Sequence, residues 1–401
     1  MSNTLKFGNG TWATKKGSTL AYNDENDNYK PLPFTTTRAS GATRVNKEGL
    51  IEVVENDRPR IDYTDSANGA LKLEPQRTNL VTYSEDFSNA SWTKASLTVD
   101  SNSTTSPDGS LNADKITKTS GGGGIIYTQS ISGTYTVSSY MKADTSNYSL
   151  LYVNFSSGTD GSVYFDLTDG VISSEVSVNG FIENIGNGWY RCGATFTTPA
   201  SLSDVRFFPA EYNSTSATSG SIYIYGAQLE AGSYATSYIP TQGSAVTRVA
   251  DVCNNGGNEQ VINSTEGVLY FEFKNTDTSN YKLMSISGAT TDNRVFIGTR
   301  LTTGYIYYFV VSGGVTQASY ISTQLADNFA KVAVKYKAND FSFWINGLKV
   351  STDSSGSTPI GLDSLQFNGG SGTLDFHGNI KDVRVYNTAL TDNELKQLTT
   401  I

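Results

Sequence analysis

The stretch Leu374-Asp375-Phe376-His377-Gly378-Asn379-Ile380-Lys381-Asp382-Val383-Arg384-Val385-Tyr386, continuing as Asn387-Thr388-Ala389-Leu390-Thr391-Asp392-Asn393-Glu394-Leu395, decides the fold class. Phe376, Ile380, Val383 and Val385 supply apolar side chains for burial, and Gly378 allows a bend, so the first half reads as a closing strand. Thr391 and Glu394 stand at capping-box spacing: each side chain can satisfy a backbone N–H at the start of a helix. A short capped helix therefore ends the chain. Working outward from here, the same extended, alternating segments recur, divided by turn residues. The 38 glycines, the 24 tyrosines and a charged fraction of only 17% suit many short strands joined by tight turns, and periodic helical runs are almost lacking. The fold class is all-β.

A chain of 401 residues is too long for one ordinary domain. The pattern predicts a small irregular N-terminal β region over residues 1–83, then two antiparallel β-sandwiches over 84–245 and 246–401. In the first region Leu50–Val54 and Arg60–Tyr63 read as short strands, the second starting at or edged by Pro59, which lacks a ladder donor. Asp24–Asn28 reads as a solvated polar turn whose oxygens do not follow EF-hand spacing. In the middle region Leu151, Val153 and Phe155 alternate with Tyr148, Leu150, Tyr152 and Asn154. Val163-Tyr164-Phe165-Asp166-Leu167 alternates likewise, Gly121–Gly124 turns into the strand at Ile125, and Ser221–Glu230 is the last strand. In the last region four strands precede the hairpin Phe341–Val350, whose Asn346-Gly347 tolerates the positive φ angles of a type I′ turn.

Three passages carry a family resemblance. Leu73-Glu74-Pro75-Gln76-Arg77-Thr78-Asn79-Leu80 with Tyr83-Ser84-Glu85-Asp86-Phe87-Ser88-Asn89-Ala90-Ser91-Trp92 resembles a segment of bacteriophage tail-fibre, tail-spike and other virion surface proteins. There it introduces a carbohydrate-binding-module-like jelly roll, and Thr37-Arg38-Ala39-Ser40 with Gly49-Leu50-Ile51-Glu52 fits the lead-in. Gln228–Thr241 resembles the exit of that jelly roll. The C-terminal stretch and the Phe341–Val350 hairpin resemble concanavalin A-like (laminin G-like) sandwiches. The resemblance implies a virion structural protein: a tail fibre, head fibre or capsid decoration on the virion surface, made in a host cytoplasm. It also implies an N-terminal region docking onto other virion proteins, and a homotrimer. With neither heptads nor short repeats, a compact decoration or short fibre fits better than a long shaft.

Composition narrows the chemistry. A net charge of −9 without a Lys/Arg cluster disfavours nucleic acid and anionic membranes as partners. No apolar run nears the roughly 18 residues of a membrane span, so no insertion is expected, and the first residues lack a signal-peptide core. Cys192 lies in a strand and Cys253 in a linker-like segment of another predicted domain, so no disulfide is expected. One histidine, His377, without a nucleophile elbow, reads as structural, and the chain lacks the residues for an ordinary zinc site. Glycoside hydrolysis needs two carboxylates. The strand Tyr270–Lys274, where concanavalin A-like glycosidases carry several, offers only Glu272. Asp160, Asp166 and Asp169 read as turn residues. The expectation is therefore no enzyme, no cofactor and no metal.

Sugar recognition needs no reactive group, only flat rings for pyranose C–H faces with amides, carboxylates or guanidinium groups beside them. The polar-facing set of the middle sandwich has that character: Tyr148, Tyr152, Asn154, Tyr164, Asp166, Arg191 and Arg206. The same tyrosines could instead cover a solvated sheet or pack on a neighbouring subunit, and Tyr305, Tyr307 and Trp344 pose that question in the last region. Three functions stay open: adhesion to host or environmental surface glycans, a purely structural virion adaptor, and a polysaccharide depolymerase.

Overall fold

Strands dominate the computed structural model, some alternating in burial, as Gly161–Asp166 does, and some buried throughout, as Lys282–Ser287 is. The structure describes residues 4–7, 12–14, 20–23 and 29–31 as strands, and residues 34–401 apart from 213–217, 278–279, 289, 301 and 327. The Asp24–Asn28 turn lies outside the described residues. The one helix among them is Asp392–Thr399; the rest is strand and turn, an all-β fold. That helix is too short to cross a membrane, which says nothing of strands.

The boundaries 1–83, 84–245 and 246–401 give way to two interleaved units. One comprises residues 1–41, 54–75 and 249–401, the other 42–53 and 76–248. The reason lies in strand pairing. Arg60–Asp62 and Ala70–Leu73, read above as part of an N-terminal region, pair with each other, and Ala70–Leu73 pairs with Gly378–Tyr386. The long intervening chain does not weaken that ladder, because loop-closure cost grows only with the logarithm of length.

In the first unit one sheet runs Leu348–Asp353, Phe341–Ile345, Ala330–Lys337, Glu266–Asn275, Gly378–Tyr386, Ala70–Leu73, Arg60–Asp62, with Thr4–Phe7 also pairing to Gly378–Tyr386. Its partner sheet runs Val315–Leu325, Tyr305–Ser312, Arg294–Thr299, Lys282–Ser287, Ser364–Gln366. The inward sets Leu269, Phe271, Phe273 and Ile306, Tyr308, Val310 meet in one core. The hairpin turns at Asn346 and Gly347 with φ of 50° and 80°, as a type I′ turn requires. The helix is closed by its capping box: Thr391 accepts from the Glu394 N–H, and the Glu394 carboxylate accepts from the Thr391 N–H. Cys253, placed above in a linker, instead lies in the strand Val252–Asn254, paired with Thr35–Thr37. Both cysteines are buried free thiols.

In the second unit two six-stranded antiparallel sheets enclose a core that contains Leu151, Val153, Phe155, Val163, Phe165 and Trp92. One sheet runs Thr93–Ala95, Gly124–Ile131, Leu202–Ala210, Tyr148–Phe155, Gly161–Asp166, Val171–Val176. The other runs Leu97–Thr105, Leu111–Lys118, Ser221–Ala231, Thr134–Ala143, Trp189–Thr197, Asn179–Gly186.

The passages that carry the resemblance hold the units together internally. Glu74 pairs with Arg60, Arg60 with Asp251, and Asp251 with Arg38 at 2.8 Å, all buried. Asn79 donates to the carbonyls of Ala227 and Ile239 and accepts from the Leu229 N–H, stitching entry to exit. Ser84 Oγ shares a hydrogen bond with the Tyr238 hydroxyl at 2.6 Å. These residues satisfy buried polar backbone and charge.

Candidate functional site

The two sheets of the second unit differ on their outer faces. Outside the Trp189–Thr197 sheet, Tyr140, Trp189, Tyr225 and Tyr238 cluster with Ile51, all buried, so the unit's own chain closes this face. Outside the other sheet, Leu150, Phe208 and Ala210 form an apolar floor, with half-buried Tyr148, Tyr152 and Tyr164 packed against it. Antiparallel register sets them there. Tyr148 stands opposite Asp166, Leu150 opposite Tyr164, and on the other flank Leu150 opposite Phe208, Tyr152 opposite Arg206 and Asn154 opposite Asp204.

The polar groups lock one another. The Tyr152 hydroxyl donates to Asp160 at 2.6 Å, and the Phe155 N–H donates to the same carboxylate at 2.9 Å. Arg206 forms a fork on Asp204, Nε at 2.5 Å and Nη2 at 3.1 Å, while its guanidinium lies 5.6 Å from the Tyr152 ring centre. Asn154 Nδ2 donates to Asp204 at 2.8 Å. Tyr148 meets Tyr212 edge-on at 5.5 Å. The hydrogen bond to Asp160, with burial second, pushes the Tyr152 hydroxyl up to about 12. Burial alone would raise Asp166; the Asp169 and Thr168 N–H groups and the Tyr148 hydroxyl outweigh it and hold that carboxyl below its usual range. The result is a preorganised slab of rings edged by carboxylates, an amide and one guanidinium.

Six of the seven residues singled out from the sequence thus meet on one face. Arg191 does not. It lies in the other sheet, opposite Tyr140, donates to Ser138 Oγ at 3.1 Å and stacks over the Tyr140 ring. Strand alternation gave its direction but not its sheet. Sequence reasoning missed Asp204 and Phe208, although Asp204, Arg206 and Phe208 alternate visibly in Leu202–Ala210. It also set Asp160 aside as a turn residue. In the first unit Trp344 is covered by the C-terminal helix and Tyr307 is buried among Phe296, Leu283 and Val311.

Several other chemistry-bearing groups are engaged. A cleft of about 600 Å³ in the second unit is lined by Glu85, Asp86, Asn102 and Asp114 among others. Glu85 accepts from the Tyr225 and Tyr238 hydroxyls, and Asp114 from the Phe87 and Asn102 N–H groups. Burial raises both carboxyls. His377 is buried beside Asp277 and Lys282, which pair at 2.8 Å. Glu272 does have an acidic neighbour, Asp382, but across the ladder rather than along its own strand. Among the described residues no three His, Cys, Asp or Glu are grouped to hold a metal ion.

Residues 268–396 match the model of the concanavalin A-like lectin/glucanases superfamily. No curated protein matches the chain in sequence. Among solved structures, the Ruminococcus gnavus IT-sialidase CBM40 bound to α2,3-sialyllactose is 18% identical, covering 37% of this chain and 94% of its own at a TM-score of 0.32. Mouse laminin α1 LG4-5 is 13% identical over 68% of this chain and 89% of its own, TM-score 0.23. The tail fibre protein gp63.1 of an E. coli phage is 10% identical over 70% of this chain and 36% of its own, TM-score 0.21. These TM-scores are too low for the likenesses to bear on what the chain does.

Proposed function

We propose that the protein is a non-enzymatic adhesin on a virion surface, whose second unit holds surface glycans on the face built from Tyr148, Tyr152 and Tyr164. One observation carries the reading: three half-buried rings, fixed over an apolar floor beside Asn154, Asp160 and Arg206, that keep part of their surface exposed among the described residues. Flat rings take pyranose C–H faces, and the edging groups take hydroxyls. The concanavalin A-like match over residues 268–396 supports a carbohydrate-binding sandwich protein. The virion setting rests on the resemblance of Leu73–Trp92 and Gln228–Thr241, as do docking onto other virion proteins through N-terminal segments and a homotrimer.

A glycan array probed with the full chain tests the adhesion reading. Saturable binding that disappears in Tyr152→Ala, with folding unchanged by circular dichroism, supports it; no binding to any glycan overturns it. Labelled antibody imaged on particles tests the virion setting, and light scattering tests the trimer.

A further inference from the structure

We propose that the tyrosine face selects neutral glycans and rejects those bearing carboxylates. The proposal rests on the adhesion reading and adds the ligand class. Three carboxylates edge the rings: Asp160 on the Tyr152 hydroxyl, Asp166 opposite Tyr148, and Asp204 opposite Asn154. Asp169, at the turn beyond Asp166, adds negative charge near Tyr148. Against the first three stands Arg206, leaving a net of two negative charges, and both its Nε and Nη2 are already given to Asp204.

The other nearby cation, Lys118, has its ammonium 4.3 Å from the Phe208 ring centre and closed off from solvent, with the residue 4% exposed. It is placed to hold the ring rather than to meet a ligand. A sialic or uronic acid stacked on Tyr152 or Tyr164 would therefore lose water from its carboxylate, find its obvious partner occupied, and face two uncompensated charges of its own sign. A neutral sugar meets no such penalty. Its hydroxyls donate to Asp160 or Asp204, bonds that charged acceptors strengthen. The face thus combines an attractive element for hydroxyls with a repulsive one for acids.

The test uses the full chain on matched pairs: neutral oligosaccharides and their sialylated or uronate counterparts, measured at low and at high salt. The expected result is that neutral members bind about tenfold or more tightly than the acidic ones, a gap that salt narrows. Asp204→Asn frees the Arg206 guanidinium and is expected to raise binding of acidic members about tenfold. Asp160→Asn keeps the shape, removes one charge, and is expected to narrow the gap on its own should the first variant misfold. Equal or tighter binding of acidic members by the wild-type chain overturns the selectivity while leaving adhesion standing. Binding of neither class removes the adhesion reading and this inference with it.

Discussion

Two carboxyls of this chain show how little residue type alone decides. Glu272 is the acid that concanavalin A-like strands invite one to inspect, and opposite it on the ladder stands Asp382, whose proton affinity the fold raises. Burial pushes its carboxyl up to about 6, against the pull of the Arg384 guanidinium at 2.5 Å. A carboxyl that binds its proton more tightly in the fold than in the unfolded chain favours the fold most at low pH. That contribution is complete below about pH 4 and is lost as pH rises through about 6. Urea unfolding of the first unit across this window is expected to show the loss, at most about 3 kcal/mol. Asp382→Asn, which keeps an acceptor for Arg384, is expected to flatten the slope. Tyr152 makes the same point on the other unit: its facing, away from the core, was legible, but its clamp to Asp160 was not. Tyr152→Phe, losing that clamp while keeping the ring, is expected to weaken glycan binding less than Tyr152→Ala, as titration calorimetry would show.

Elements were the most legible level. The alternation of Tyr148–Phe155 and Gly161–Asp166 gave both strands and both facings, because side chains of an extended chain must point to opposite sides in turn. The capping box was readable from two residues at fixed spacing, and it formed. Thr391→Ala is expected to cost about 1 kcal/mol of the first unit's stability, measured by urea unfolding. Gly347, at φ 80°, sits where an L side chain is strained, and Gly347→Ala in the hairpin is expected to cost a similar amount, about 1 kcal/mol. Cys253 shows the limit: three residues of strand with no alternation to display look like linker until a partner, Thr35–Thr37, is known.

For the whole molecule the tertiary structure overruled the linear reading. Segments 42–53 and 54–75 belong to different units although they adjoin in sequence. The buried Arg38, Arg60, Glu74 and Asp251 network draws on all three segments of the first unit's chain. Removing Asp251 would leave two guanidinium groups buried with too little compensation, so Asp251→Ala is expected to cost about 3–5 kcal/mol. Each unit holds one buried cysteine, Cys192 or Cys253, with its thiol pushed up by burial. Thiol labelling during urea unfolding therefore reports each unit separately. Asp251→Ala is expected to expose Cys253 at lower urea than in the wild type. By itself the sequence determined the all-β class, the strand faces, the closing helix and most of the aromatic set, because alternation, turn chemistry and capping act over a few neighbouring residues. Only the tertiary structure decided which strands pair, that Arg191 lies away from the tyrosine face while Asp204 joins it, and which outer sheet face carries the half-buried rings. Those outcomes depend on registers between residues far apart in the chain, which no local pattern encodes.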